Sequence, residues 1–191
     1  MPDGRRPLIA AALLLVAATI AAYVLATRMI TRTRPAGAPG ALSPSGSRAP
    51  APPFTLPSLR AQEQIALADF RGQVVVLNFF ASWCGPCELE AADLERTWQS
   101  VRGRGVVFLG VAIQDRYQDA QAFLTKHGIT YPAVFDTDGA VMQAYRITGI
   151  PTTVIIDADG RIALRHAGIF VGEEGRARLR AWIDAARGAA P

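Results

Sequence analysis

Cys84 and Cys87 are the only cysteines in the 191-residue chain, and they stand three residues apart. They follow Val74–Phe80, a run of β-branched and aromatic residues with Gly72 ahead of it. Such a run reads as a strand buried on both faces. Beyond the cysteines, Ala91, Leu94, Trp98 and Val101 recur at helical spacing, so Glu88–Val101 reads as a helix ended by Gly103 and Gly105. The pair therefore sits where a central strand hands over to a helix.

The rest of the C-terminal part repeats this alternation. Phe54–Leu56 and Gln64–Leu67 read as short strands, Val106–Ile113 as a second buried strand, and Asp119–His127 as a helix ended by Gly128. Ala133–Phe135 reads as a short extended piece and Ala140–Arg146 as a short helix. Thr152–Asp157 and Ile162–His166 form a hairpin around the turn Ala158-Asp159-Gly160, and Glu173–Ala186 closes the chain as a helix. The order predicts an α/β fold, a central mixed β-sheet with helices on both faces.

The N-terminal part is of a different kind. Leu8–Ala26 holds 19 residues without a charged side chain. As a helix it would reach about 28 Å, close to the hydrocarbon thickness of a bilayer. Arg5 and Arg6 precede it, and Arg28, Arg32 and Arg34 follow. Residues 1–34 are expected to be one uncleaved transmembrane anchor, because the run exceeds the ~7–15 apolar residues of a signal-peptide core; the competing reading is a secretory signal peptide cleaved at Val24-Leu25-Ala26. Both flanks are basic, so charge alone does not orient it. Twelve of the 19 residues 35–53 are Pro, Gly or Ser, which predicts a loose tether. A folded domain is expected over 54–191.

Charge excludes one class of partner. The net charge is +4, but residues 1–53 carry six arginines against Asp3 alone. Residues 54–191 carry 14 basic side chains against 15 acidic ones. The domain is nearly neutral, and nucleic-acid binding has no support.

The cysteine spacing carries the chemistry. Residues three apart on a helix have Cβ atoms about 5–6 Å apart, and a small adjustment brings them to the ~3.5–4.5 Å of a disulfide. Cys84, at or just before the first turn, meets free N–H groups and the positive end of the helix dipole, which favour the thiolate. It is expected to be the exposed, attacking sulfur. Cys87, one turn inside, resolves the mixed disulfide. Pro86 suits a first turn, where its missing N–H costs nothing. A zinc site would need four ligands, while His127 and His166 are isolated. A purely structural disulfide closing so short a loop would stabilise little. No metal and no cofactor beyond the redox-active pair are expected.

Phe79-Phe80-Ala81-Ser82-Trp83-Cys84-Gly85-Pro86-Cys87 resembles the active-site segment of thioredoxins. Gly149-Ile150-Pro151-Thr152-Thr153 resembles their cis-proline loop. Ala51–Leu56 and the extra segment from about Tyr117 to Tyr145 resemble the membrane-anchored TlpA/ResA-like (redoxin) branch. The resemblance covers about residues 51–187 and implies a thioredoxin fold. It implies that Pro151 is cis and faces the cysteines, that the Ile150 backbone pairs with substrate, and that Trp83, Gly85 and Pro86 line the substrate side. The buried acid of thioredoxin is replaced by Asn78, expected to hydrogen-bond locally. Glu90, three residues after Cys87, is where this branch often carries an acid, and it is expected to assist deprotonation of Cys87; the competing reading is a solvated acid among Glu88, Asp93 and Glu95.

The resemblance further implies a thiol–disulfide oxidoreductase, reducing rather than oxidising, since Gly85-Pro86 matches thioredoxin with its potential near about −270 mV. Expected partners are disulfide-bearing or thiol-bearing substrate proteins and a membrane electron donor. The expected setting is a single pass through the inner membrane with the domain in the periplasm or extracytoplasmic space. Substrates such as apocytochrome c or a cytochrome oxidase copper site are suggested. Three alternatives stay open: a copper-binding assembly factor using the cysteines with His166, a peroxiredoxin-type peroxidase, and a dedicated oxidant of the same fold with the opposite electron flow.

Overall fold

The computed structural model describes Ile20 and residues 48–188. The expected anchor at Leu8–Ala26, Ile20 apart, and the tether as far as Ser47 lie outside the described residues. Among the described residues no helix is long and apolar enough to cross a membrane. The described fold lies within one compact unit, Pro39–Pro191.

Strands β1 (Thr55–Pro57) and β2 (Gln64–Ala66) form a small antiparallel hairpin, followed by a 3₁₀ turn at Leu67–Phe70. Then come β3 (Val74–Phe80), α1 (Gly85–Val101), β4 (Val106–Ile113), α2 (Tyr117–Lys126), β5 (Ala133–Asp136), α3 (Ala140–Ala144), β6 (Thr152–Ile156), β7 (Ile162–Ala167) and α4 (Gly172–Arg187). The main sheet runs β5-β4-β3-β6-β7. β4 is parallel to β3 and β5 to β4, whereas β6 is antiparallel to β3 and β7 to β6. This is the mixed sheet expected, in a thioredoxin-like arrangement.

Strand alternation divides the core into two layers. Val74, Val76 and Phe80 of β3, with Phe108 of β4 and Ile155 of β6, face α1, α2 and α4 through Leu94, Phe123, Leu124, Leu179 and Ile183. Val75, Leu77 and Phe79 face α3 and the β1–β2 hairpin through Val141, Tyr145, Phe54 and Leu56. Each fully buried aliphatic or aromatic side chain contributes about 1.5–3 kcal/mol, so the central strand, buried at all seven positions, anchors both layers. Gly110 lies opposite Asn78 in the β3–β4 register. A Cβ there would lie 3.2 Å from both Ala133 Cβ and Phe80 Cε1, so the absent side chain makes room for neighbouring rings.

The fold starts earlier than the expected boundary at Phe54. Arg48 pairs with Asp157 at 3.0 Å with both side chains buried. Ile162 N–H donates to Ala49 O, and Ala51 N–H to Gly160 O. These residues complete the edge of the β6–β7 turn, which composition alone does not reveal. The first helix also starts three residues before the expected Glu88, because Cys84 itself caps it.

Candidate active site

The parallel pairing of β3 and β4 brings their C-terminal ends side by side. The antiparallel pairing of β6 puts its first residue, Thr152, opposite Phe79. Three loops therefore meet at one end of the sheet: 81–84 after β3, 114–116 after β4, and 149–151 before β6.

Cys84 is the N-cap of α1, in extended conformation, and its Sγ accepts the Cys87 N–H at 3.1 Å. Cys84 and Cys87 form a disulfide with Cα atoms 5.2 Å apart, so the structure holds the oxidised state. Pro86 occupies the second helical position, where no intrahelical N–H is needed. Cys84 is only 4% exposed and Cys87 2%. This corrects the expectation of an exposed attacking sulfur: the pair packs in the same apolar layer as Ala91 and Phe80. What is exposed is its rim, Trp83, Gly85 and Pro86.

Trp83 is 61% exposed and is not part of the core. Its indole N–H donates to Gln114 O at 2.9 Å. Gln114 holds a positive φ of 49°, which turns its carbonyl toward the indole side of the loop. Asp115, next in sequence, accepts from both Ser82 N–H and Ser82 Oγ, the latter at 2.7 Å, and from Arg116 N–H. Sequence reasoning missed Gln114 and Asp115. The signal was their place directly after a buried strand that pairs with β3. We expect Asp115→Ala to lower the rate of disulfide exchange roughly tenfold, the size of losing bonds to one charged acceptor. Exchange rates with a disulfide-bonded test protein, beside the thermal midpoint, check this. An unchanged rate would show that the Ser82–Trp83 loop holds its shape without Asp115.

The Ile150–Pro151 peptide bond is cis. Ile150 is half-buried and packs against the layer containing both cysteines. Among the described residues no hydrogen bond engages the Ile150 N–H or C=O; Pro151 O accepts Gly168 N–H at 3.0 Å.

Glu90 is wholly buried, which corrects the solvated reading. It lies one helical turn past Cys87. Its Oε1 accepts Asn78 Nδ2–H at 2.9 Å and its Oε2 accepts Phe170 N–H at 3.0 Å. Asn78 Nδ2 also reaches Thr153 Oγ1 at 3.4 Å, so its bonds cross the sheet and reach the helix rather than staying local. Burial pushes the Glu90 carboxyl up to about 7, against the opposing pull of the two donors. Asp93, one turn further, accepts Gly172 N–H and pairs with Arg96 and Arg176. Phe170 N–H, a backbone donor from a distant loop, has no signature in sequence.

His166 lies among aromatic rings, with its ring centroid 4.8 Å from Phe170 and 5.3 Å from Trp182. Among the described residues no group of three or more His, Cys, Asp or Glu side chains could hold a metal ion.

Residues 48–165 match the AhpC/TSA family. The chain belongs to that family. Over 124 residues it is 33% identical to the thiol-disulfide oxidoreductase ResA of Geobacillus kaustophilus (strain HTA426), covering 65% of this chain and 71% of the relative. A thiol:disulfide interchange protein of the thioredoxin family from Chlorobium tepidum TLS superposes with a TM-score of 0.65 at 28% identity, over 73% of this chain and 96% of that one. A DsbF homologue from Corynebacterium diphtheriae gives 0.68 at 26% identity, over 80% and 96%. With its paired cysteines at a helix cap, this member of the family is a protein thiol–disulfide oxidoreductase that acts on substrate proteins bearing disulfides or thiols.

Proposed function

We propose that the chain is a reductant of disulfides in extracytoplasmic proteins, held at the inner membrane by residues 8–26 and recharged by a membrane electron donor. The carrying observation is the Cys84–Cys87 disulfide closed across the cap of α1, with a buried carboxyl one turn behind it.

In the reduced chain, the Cys84 thiolate attacks one sulfur of a substrate disulfide. The substrate S–S bond breaks, one substrate thiolate leaves, and a mixed disulfide to Cys84 forms. Cys87 then loses its proton to the Glu90 carboxylate and attacks Cys84 Sγ, releasing the second substrate thiolate. Two electrons and two protons pass to the substrate, the second proton by way of Glu90 and solvent, and the chain returns to the oxidised state seen here. The unengaged Ile150 backbone suits an extended substrate segment, since its hydrogen bonds require no particular substrate side chain. Trp83, Gly85 and Pro86 form the adjoining wall, and Pro151 sets the loop. No resident cofactor takes part in these steps. Extracytoplasmic placement draws its support from the apolar run at 8–26, the Pro/Gly/Ser tether, and the absence of any third cysteine to mispair in an oxidising compartment. Substrates of the kind met during cytochrome c or cytochrome oxidase assembly fit this reading.

Thiol trapping in intact cells tests compartment and direction together. A membrane-impermeant maleimide should label Cys84 after the outer permeability barrier is opened, with most of the protein in the dithiol form. A pair that is labelled only after lysis, or that is held fully oxidised, would overturn the placement or the direction.

A further inference from the structure

Gly175 lies in the first turn of α4 and is buried against Phe170. A Cβ at this position would lie 2.8 Å from the Phe170 carbonyl carbon and 3.0 Å from its Cα. Both are backbone atoms, so no side-chain rotation relieves the overlap. Phe170 is the residue whose N–H donates to Glu90. Its ring is held on the other side by His166, by Trp182 at 5.5 Å and by the Arg178 guanidinium 5.2 Å from its centroid. One turn along α1, Asp93 accepts Gly172 N–H at 2.8 Å and pairs with Arg176. Glu90 and Asp93 thus take two amides of the segment that opens α4. How closely that helix sits on Phe170 decides whether the first of these amides reaches Glu90.

We propose that Gly175 is a positioning residue for the active-site carboxyl: by carrying no side chain it lets α4 close on the Phe170 backbone and holds the Phe170 N–H on Glu90. The inference rests on Glu90 acting on Cys87 as proposed above. Glu90 takes hydrogen bonds from Asn78 of β3, itself bonded to Thr153 of β6, and from the Phe170 amide, while Cys87 and Asp93 stand three residues to either side of it on its own helix. Tyr131 comes from the segment before β5, its phenol held protonated by burial and then by the Glu90 charge. Arg176, Arg178 and His166 surround the Phe170 loop. Of these, the Phe170 amide is the one that Gly175 controls. It opposes burial and draws the carboxyl down, so losing it raises the pH at which Glu90 ionises.

The test is the pH profile of the resolving step in the full chain, measured as release of thiol from a mixed disulfide at Cys84. In the wild type the rate should rise through neutrality as Glu90 ionises. Gly175→Ala should move that rise upward by roughly one pH unit while keeping the plateau at high pH. Gly188→Ala is the control, since it caps the far end of the same helix at an ordinary φ of −73° and its Cβ would make only a normal contact, 3.6 Å from Asp184 O. Its midpoint should stay in place. An unmoved midpoint in Gly175→Ala, or an equal shift in Gly188→Ala, would overturn the inference. Should Gly175→Ala not fold, Asp93→Asn decides. Removing a nearby negative charge alone would lower the midpoint, whereas releasing the α4 segment raises it, so a lowered or unmoved midpoint overturns the inference. In Glu90→Gln the rise should vanish. If it persists, the Glu90 role itself fails; if it vanishes while Gly175→Ala stays unmoved, only the Gly175 assignment fails.

Discussion

Cys84→Ser should leave a folded chain with no measurable disulfide exchange, a loss on the order of 10⁴-fold or more. The Cys84 sulfur is the cap of α1 and receives the Cys87 N–H. That position stabilises a thiolate through an unpaired amide and the positive end of the helix dipole. A serine hydroxyl there gains the same hydrogen bond but stays protonated at neutral pH and forms no disulfide. Cys87→Ser should behave differently. It keeps the attacking sulfur and loses the resolving one, so the first step proceeds and the second stops. The expected product is a stable mixed disulfide through Cys84, seen as a mass shift on non-reducing gels that dithiothreitol reverses. The burial of Cys84 adds a geometric demand. Substrate has to reach it over Gly85 and Pro86, beside exposed Trp83, because the inner side is closed by the core. Normal exchange in Cys84→Ser, or no trapped species in Cys87→Ser, would remove this mechanism.

The parts of the site legible in sequence were those carried by local pattern. Val74–Phe80 and Val106–Ile113 appear over the residues expected, because buried central strands need continuous apolar runs. The cysteine pair declared its place by standing between such a run and a helical period. The chemistry of Cys84 and Pro86 placed them at the first turn of α1, where the structure has them, although the apolar period that begins at Ala91 marked the helix only from Glu88. Trp83 was placed on the wall beside Cys84, but its indole is fixed by a backbone carbonyl of the neighbouring strand's loop, which only the parallel β3–β4 pairing brings near. Asn78 and Glu90 are twelve residues apart and meet across a strand-to-helix layer. The partner that completes their arrangement is the amide of Phe170, eighty residues from Glu90. Long-range backbone donors leave no mark on composition or spacing, so the burial of Glu90 and the service of Gly175 emerge only from tertiary packing.

Glu90→Gln should change how stability depends on pH, by about 3 kcal/mol across the range from pH 4.5 to pH 7. The carboxyl ordinarily titrates at 4.5 and in the fold is pushed up to about 7, chiefly by burial. Its folded value lies above the unfolded one. Between the two values the native chain keeps the proton that the unfolded chain has released. The stability this proton confers is fully present below pH 4.5 and is lost as pH rises through 7, at roughly 1.4 kcal/mol per pH unit. Glutamine cannot ionise, so the variant lacks this loss. His127 and His166 are held below their ordinary value, mainly by burial, and they slope the other way. The comparison is therefore between two proteins that share both histidines. Urea unfolding of the oxidised chains at pH 5 and pH 8 should give curves that diverge, with the Gln variant gaining on the wild type as pH rises. Parallel curves would mean that Glu90 is already ionised throughout and keeps no proton to lose. The same property links stability to chemistry. A carboxyl close to half ionised at neutral pH can accept a proton from Cys87 and return it to solvent, whereas one titrating at its ordinary value would be too weak a base to draw that proton. The destabilisation that burial imposes at pH 8 is thus the physical counterpart of the base strength that the resolving step requires.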